Sequence, residues 1–92
     1  MKIDVYDSYA TREDGRTLHF DVFVKEGTSP ETALHHGRQW LNSIGEDSAG
    51  LKQLRCNFCH SEIASPKVRT AVEAGGFFIL QLEGCPSPVQ KI

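Results

Sequence analysis

Hydrophobic and polar residues alternate along two segments near the start of the chain, which is the period of a β-strand. The alternation covers residues 3–9 and, more regularly, residues 17–24. The dipeptide Asp14-Gly15 lies between them, and it favours a tight hairpin turn because glycine adopts a positive φ without steric cost. We therefore predict that the two segments pair as an antiparallel hairpin.

The predicted pairing places even-numbered residues of one strand opposite odd-numbered residues of the other. This register gathers the apolar row on one face of the hairpin: Ile3, Val5, Leu18, Phe20, Val22 and Val24. The other face then carries Asp4, Tyr6, Ser8, His19, Asp21 and Phe23. A shift of one residue would expose the whole apolar row to water.

Three polar side chains on this hairpin belong to residue types that support catalysis. Ser8, His19 and Asp21 share the predicted polar face, but nothing resembling a nucleophile elbow surrounds Ser8, so we interpret them as the uncovered face of a sheet. Asp7 falls near the end of the apolar row. We interpret it as a cap on a backbone amide or a solvated group at the sheet edge.

Two segments have helical spacing and helix-ending signals. The first begins at Thr28 or Ser29, has Pro30 in its first turn and ends at Gly45. Gly37 lies on its apolar stripe, which indicates a close approach to the sheet, and its neighbours His35 and His36 are predicted to face solvent. The second helix begins at Ser65-Pro66 and ends at Gly75-Gly76.

Two further strands complete the predicted fold, one near residues 50–56 and a central one at residues 77–82. The order β-β-α-β-α-β predicts an α+β two-layer sandwich, with a mixed four-stranded sheet and both helices on one face. We expect Trp40 to be largely buried between the first helix and the sheet. The single domain is predicted to span residues 1–85, with residues 86–92 as a flexible tail.

Composition narrows the function classes. The chain has 92 residues, 39% of them hydrophobic, with a formal net charge of −2, and it has no lysine-arginine run. This composition predicts one globular domain and argues against a nucleic-acid partner. The longest apolar stretch, Phe77 to Leu80, is far shorter than a membrane span, and the start lacks the apolar segment of a signal peptide. We therefore expect a soluble cytoplasmic protein without a membrane partner.

The sequence Cys56-Asn57-Phe58-Cys59-His60 contains the C-x-x-C-H spacing. Covalent haem is disfavoured, because the chain has no export signal and Met1 is its only methionine. An odd number of cysteines, with Cys85 as the third, argues against a disulfide framework. The thiols are therefore metal ligands, redox groups or small half-buried side chains.

A zinc site is the most specific of these hypotheses. If the third and fourth strands run parallel, their carboxyl ends meet at one sheet edge, which would bring Cys85 to a loop carrying the C-x-x-C pair. Cys56, Cys59, Cys85 and His60 would then supply a Cys₃His site. Thiol-disulfide exchange by Cys56 and Cys59 is the alternative, although the nearest predicted helix begins several residues later. Structural thiols remain the third hypothesis.

The chain also resembles a known family. The segments that carry the resemblance are Val5–Tyr9, His19–Val22, Trp40–Gly45, Cys56–Glu62 and Glu83–Cys85, and the pattern C-x-F-C-H-S-E within them is the most specific. They resemble a small, mainly bacterial family, the domain of unknown function DUF2024. The resemblance covers nearly the whole chain and implies a compact α+β domain of this length, without implying an activity, a cofactor or a catalytic residue.

Taken together, these patterns predict a small cytoplasmic binding or interaction module for a protein or small-molecule partner, with a cysteine-ligated zinc as its candidate cofactor. The alternative is a thiol-dependent redox protein that uses the C-x-x-C pair. The sequence leaves open whether the protein is an enzyme, and it leaves the oligomeric state open as well.

Overall fold

A computed structural model describes residues 1–46 and 50–88 of the chain. Its elements are β1 (Lys2–Arg12), β2 (Thr17–Lys25), α1 (Pro30–Ser43), β3 (Leu51–Ile63), α2 (Pro66–Gly75) and β4 (Phe77–Gln81). The predicted α+β class and the order β-β-α-β-α-β are confirmed. No helix within the described ranges is both long and apolar enough to span a membrane.

The four strands form one sheet in the order β3-β1-β2-β4, and every neighbouring pair is antiparallel. The prediction of a mixed sheet is therefore wrong, and so is the parallel relation between β3 and β4, which lie at opposite edges. The central position predicted for β4 is also wrong. The apolar residues of β4 point alternately to the two faces of the sheet. Because a helix covers each face, even this edge strand is covered on both sides.

The hairpin turn sets the register of the sheet. Its loop has three residues, Glu13 to Gly15, and the backbone N–H of Arg12 donates to the carbonyl of Arg16 at 2.7 Å. Gly15 adopts a φ of 91°, as expected for the last residue of a three-residue hairpin loop. The predicted pairing corresponds to a two-residue loop. The additional residue changes the parity, so that Ile3 lies opposite Lys25 and the predicted register is wrong.

Each helix packs against its own face of the sheet. We call the face that contacts α1 the α1 face; its buried cluster comprises Tyr6, Ala10, Leu18, Phe20, Val22, Val24, Ala33, Leu41 and Cys85. The other is the α2 face, with the buried cluster Ile3, Val5, Phe23, Val68 and Val72. The prediction that both helices lie on one face is therefore wrong. In the observed register both faces of the hairpin carry an apolar row, and each row needs a helix to exclude water.

Helix α1 begins where the sequence predicts, since the Ser29 hydroxyl accepts the backbone N–H of Thr32 at 3.2 Å. The close approach at Gly37 is confirmed, because a Cβ built there would lie 3.5 Å from the Phe20 ring. Trp40 is only half-buried, with its ring 4.9 Å from that of Phe20, because the buried side of the helix consists of Ala33, Gly37 and Leu41.

Two smaller expectations concern His36 and the end of the chain. His36 does not face solvent, because its ring stacks on Phe77 with centroids 4.5 Å apart, whereas His35 is exposed. Helix α2 begins at the N-cap Ser65 and ends at Gly76, which has a φ of 89°. The predicted tail begins at residue 86, and its last residues, 89–92, lie outside the described ranges.

Candidate functional site

The predicted cysteine site is distributed across the sheet. Strand β3 continues to Ile63, so Cys56, Cys59 and His60 lie within a strand and not on a loop after it. Cys85 follows β4 at the other side of the sheet, where its thiol donates to the carbonyl of His19 at 3.2 Å. Strands β3 and β2 are separated by β1, so their backbones are about 10 Å apart. The structure therefore does not bring Cys85 to the C-x-x-C pair.

The C-x-x-C pair itself is poorly placed for a disulfide. Residues three apart on an extended strand are separated by about 10 Å, whereas the Cα atoms of a disulfide are within about 7 Å. All three cysteines are free thiols. Burial raises the pKa of Cys56, a shift that the hydrogen bond with Ser8 partly offsets, and burial also raises the pKa of Cys85. A raised pKa lowers the thiolate fraction, so neither thiol is activated for exchange.

A polar cluster lies instead on the α2 face, beyond the reach of α2. The helix covers Ile3, Val5 and Phe23 in its buried cluster. Further along the same face, Asp7 lies opposite Asp21 and Tyr9 lies opposite His19 on the two central strands. We call this uncovered part, formed by Asp7, Tyr9, His19 and Asp21, the open half of the α2 face.

Three side chains of the open half converge. The Nε2 atom of His19 lies 2.6 Å from Oδ1 of Asp7, and Tyr9 stacks on the imidazole with ring centroids 4.3 Å apart and planes within 5°. Ligand atoms from Asp7, His19 and Asp21 all lie within 4.8 Å of one another. Among the residues that the structure describes, this is the one group of three or more His, Cys, Asp or Glu side chains with that geometry.

The surroundings of Asp21 shift its pKa. Burial and the nearby Asp7 carboxylate raise the pKa of Asp21 to about 6, and His19 opposes the shift. Two carboxylates held close together disfavour ionisation of both, whereas a cation between them would favour it. The side chains of His19 and Asp7 are 26% and 40% exposed, so an ion can reach them from solvent.

The observed register changes the roles assigned to the polar residues of the hairpin. Ser8 is fully buried on the α1 face opposite Phe20, where its hydroxyl donates to the carbonyl of Tyr6, so it cannot join His19 and Asp21. Asp7 binds the His19 side chain, and its own side chain is 40% exposed and therefore in contact with solvent. The sequence pattern does not reveal this cluster, because the cluster depends on the turn: a three-residue loop ending in Gly15 brings Asp7, His19 and Asp21 to one face.

Comparison with known proteins places the chain in a family. The family model described as a domain of unknown function (DUF2024) matches residues 1–82, so the chain belongs to this family. It is 42% identical to a solved structure, the NMR structure of protein NE1680 from Nitrosomonas europaea. That match has a TM-score of 0.78 and covers 92% of this chain and 99% of the other. No curated protein matches the sequence.

Proposed function

We propose that this DUF2024 member is a small metal-binding module that holds a divalent cation between Asp7, His19 and Asp21. The observation that carries the proposal is the convergence of two carboxylates and an imidazole within 4.8 Å of one another on two adjacent strands. The paired strands hold the three ligand atoms on a rigid support, which reduces the entropic cost of ordering them around an ion.

The ligand types favour a transition metal over calcium. Calcium takes six to eight oxygen ligands, whereas an imidazole combined with carboxylates suits zinc and related divalent ions. Zinc held by three protein ligands keeps a fourth position for water or a small molecule. The protein would therefore bind a small-molecule partner through the metal, in keeping with the binding module that the sequence predicts.

Proton release should accompany metal binding. With the Asp7 carboxylate as acceptor, the Nε2 atom of His19 carries the ring proton in the metal-free protein, so a metal at Nε2 would require the other tautomer, with that proton on Nδ1. Asp21, with a pKa of about 6, must also be ionised to act as a ligand. Affinity should therefore fall as the pH falls below 6.

Isothermal titration of the full chain with Zn²⁺ at pH 7 tests the proposal. We expect one ion per chain, and at least a tenfold loss of affinity in His19→Ala and in Asp7→Asn, because each removes one ligand from a site with three. His35→Ala removes an exposed histidine of α1 and should leave the affinity unchanged.

Cobalt substitution distinguishes this site from a thiolate site. A Co²⁺ ion held by carboxylates and imidazole lacks the intense near-ultraviolet charge-transfer band that cobalt-thiolate bonds produce. A strong band that disappears in Cys59→Ser would place the metal at the cysteines and contradict the proposal. Unchanged zinc affinity in His19→Ala would contradict it as well.

A further inference from the structure

A second group of reactive side chains lies on β3, where the strand is irregular. Val5 lies opposite His60 and the next residue, Tyr6, lies opposite Phe58, so Cys59 is the additional residue of a β-bulge. Neighbouring side chains on a regular strand point to opposite faces, but a bulge redirects one of them. As a result the Cys59 sulfur lies 3.3 Å from Nδ1 of His60.

Glu62 completes the group. Its Oε1 atom lies 2.6 Å from Nε2 of His60, and the two residues lie opposite Ile3 and Val5 on the α2 face. An ionised carboxylate only accepts hydrogen bonds, so Nε2 carries the imidazole proton in the neutral ring. Nδ1 is then left with a lone pair directed at the thiol. Glu62 thereby selects the tautomer in which His60 can take the proton of Cys59.

We propose that Cys59, His60 and Glu62 form an activated thiol site that reacts with low-molecular-weight disulfides. The arrangement of nucleophile, base and orienting carboxylate is the one that activates cysteine nucleophiles in general. Attack at a disulfide sulfur develops no oxyanion, so the reaction does not need the fixed N–H donors that acyl transfer needs. An open position on an edge strand is therefore sufficient for it.

The reaction is an exchange with balanced atoms and electrons. His60 accepts the thiol proton, and the Cys59 thiolate attacks one sulfur of R–S–S–R. A new bond forms between Cys59 and that sulfur as the S–S bond of the reagent breaks. The departing thiolate takes the proton from His60 and leaves as R–SH. Cys59 is thereby oxidised to a mixed disulfide, and half of the reagent is reduced to a thiol.

The other two thiols provide an internal contrast. Cys59 is exposed, whereas Cys56 is half-buried and Cys85 is buried. Burial raises the pKa of both of these less accessible thiols. The site should therefore be selective for Cys59, although Cys56 lies only three residues away on the same strand.

Incubation of the full chain with oxidised glutathione tests the proposal. A chelator is present throughout, so that the result does not depend on metal binding at the open half of the α2 face. We expect intact-mass measurement to show one added glutathione and peptide mapping to place it on Cys59. His60→Gln should lower the rate about tenfold, because a positioned base contributes at least that much to a proton transfer. His35→Gln should leave the rate unchanged.

Glu62 is a positioning residue, and its variant needs a readout besides rate. Glu62→Gln should lower the exchange rate and also shift the His60 tautomer in ¹⁵N NMR spectra towards protonated Nδ1. Circular dichroism confirms that each variant is folded. Faster modification of Cys56 or Cys85 than of Cys59, or an unchanged rate in His60→Gln, would overturn the proposal.

Discussion

The two faces of the sheet are built from the same two central strands but differ in how far a helix covers them. On the α1 face, side chains at Tyr6, Ser8 and Ala10 are all buried along β1. On the α2 face burial ends at Val5, and the next side chain in the row, Asp7, is 40% exposed. Helix α1 has 14 residues and α2 has 10, so the shorter helix leaves part of its face open.

This difference separates stability from chemistry within a single hairpin. Alternate residues of β1 and β2 enter the core on the α1 face and hold it together by burial of apolar surface. The residues between them lie on the α2 face, and those beyond the end of α2 form its open half, where water is available and polar groups need not be fully paired. Packing on the α1 face therefore holds the two strands in place, and the strands in turn fix the positions of the side chains in the open half of the α2 face.

The largest expected effect tests the packed face. Phe20 is fully buried beneath α1, so Phe20→Ala should lower the free energy of unfolding by about 3–5 kcal/mol, which includes the cost of the cavity. Tyr9→Ala removes an aromatic ring of similar size from the open half, where Tyr9 is 39% exposed, and should cost about 1 kcal/mol. Urea denaturation measures both. Equal losses would show that the two faces do not differ in stability as we describe.

A smaller effect, with the opposite sign, tests the open half. The pKa of Asp21 is raised from 3.8 to about 6, so the folded state binds its proton more tightly than the unfolded state does. Ionised Asp21 therefore costs stability, and this cost appears as the pH rises from about 4 to about 6. Because Asp21 is partly exposed, solvent screens the interaction, and we expect Asp21→Asn to stabilise the metal-free protein by only about 1 kcal/mol at pH 7.

The pH dependence provides the control for this variant. Below pH 4 the carboxyl is protonated in both states, so the gain from Asp21→Asn should disappear there. Glu13→Gln, at an exposed position in the hairpin loop, should change stability by less than about 0.5 kcal/mol at either pH. A loss of stability in Asp21→Asn at pH 7 would mean that the carboxylate is stabilised by its neighbours and not strained by them.

The sequence predicts the elements of this fold better than their mutual arrangement. Ser29 and Ser65 mark both helix starts correctly, because capping is a local interaction. The register of the hairpin depends on whether the loop at Asp14-Gly15 has two residues or three. Glycine is favoured in loops of both lengths, so the dipeptide does not distinguish between them. That one residue determines which side chains meet on each face, and with them the positions of both helices.

The candidate sites show the same limit. His19 and Asp21 are two apart on one strand and share a face, as the sequence predicts, but their partner is Asp7 and not Ser8 because of the register. The sequence around Cys59 is recognisable as a C-x-x-C-H motif, which indicates a candidate metal or redox site. Its structural basis is a bulge in a strand, and no periodicity reveals a bulge when the residues around it are mainly polar. Long-range pairing with β1 defines both sites.

The smallest effect concerns the contact between α1 and the packed face at Gly37. Glycine within a helix costs about 1 kcal/mol relative to alanine, because the unfolded chain loses more conformational freedom. A Cβ at this position would lie 3.5 Å from Phe20 and 3.7 Å from Val22, which is ordinary van der Waals contact. Gly37→Ala should therefore raise the free energy of unfolding by about 0.5–1 kcal/mol, measured by urea denaturation. Gly37→Leu provides the opposing test, since its larger side chain must displace Phe20 and should destabilise the protein by about 1–3 kcal/mol. A loss of stability in Gly37→Ala would indicate that the Cβ at position 37 lies closer to the Phe20 ring than 3.5 Å.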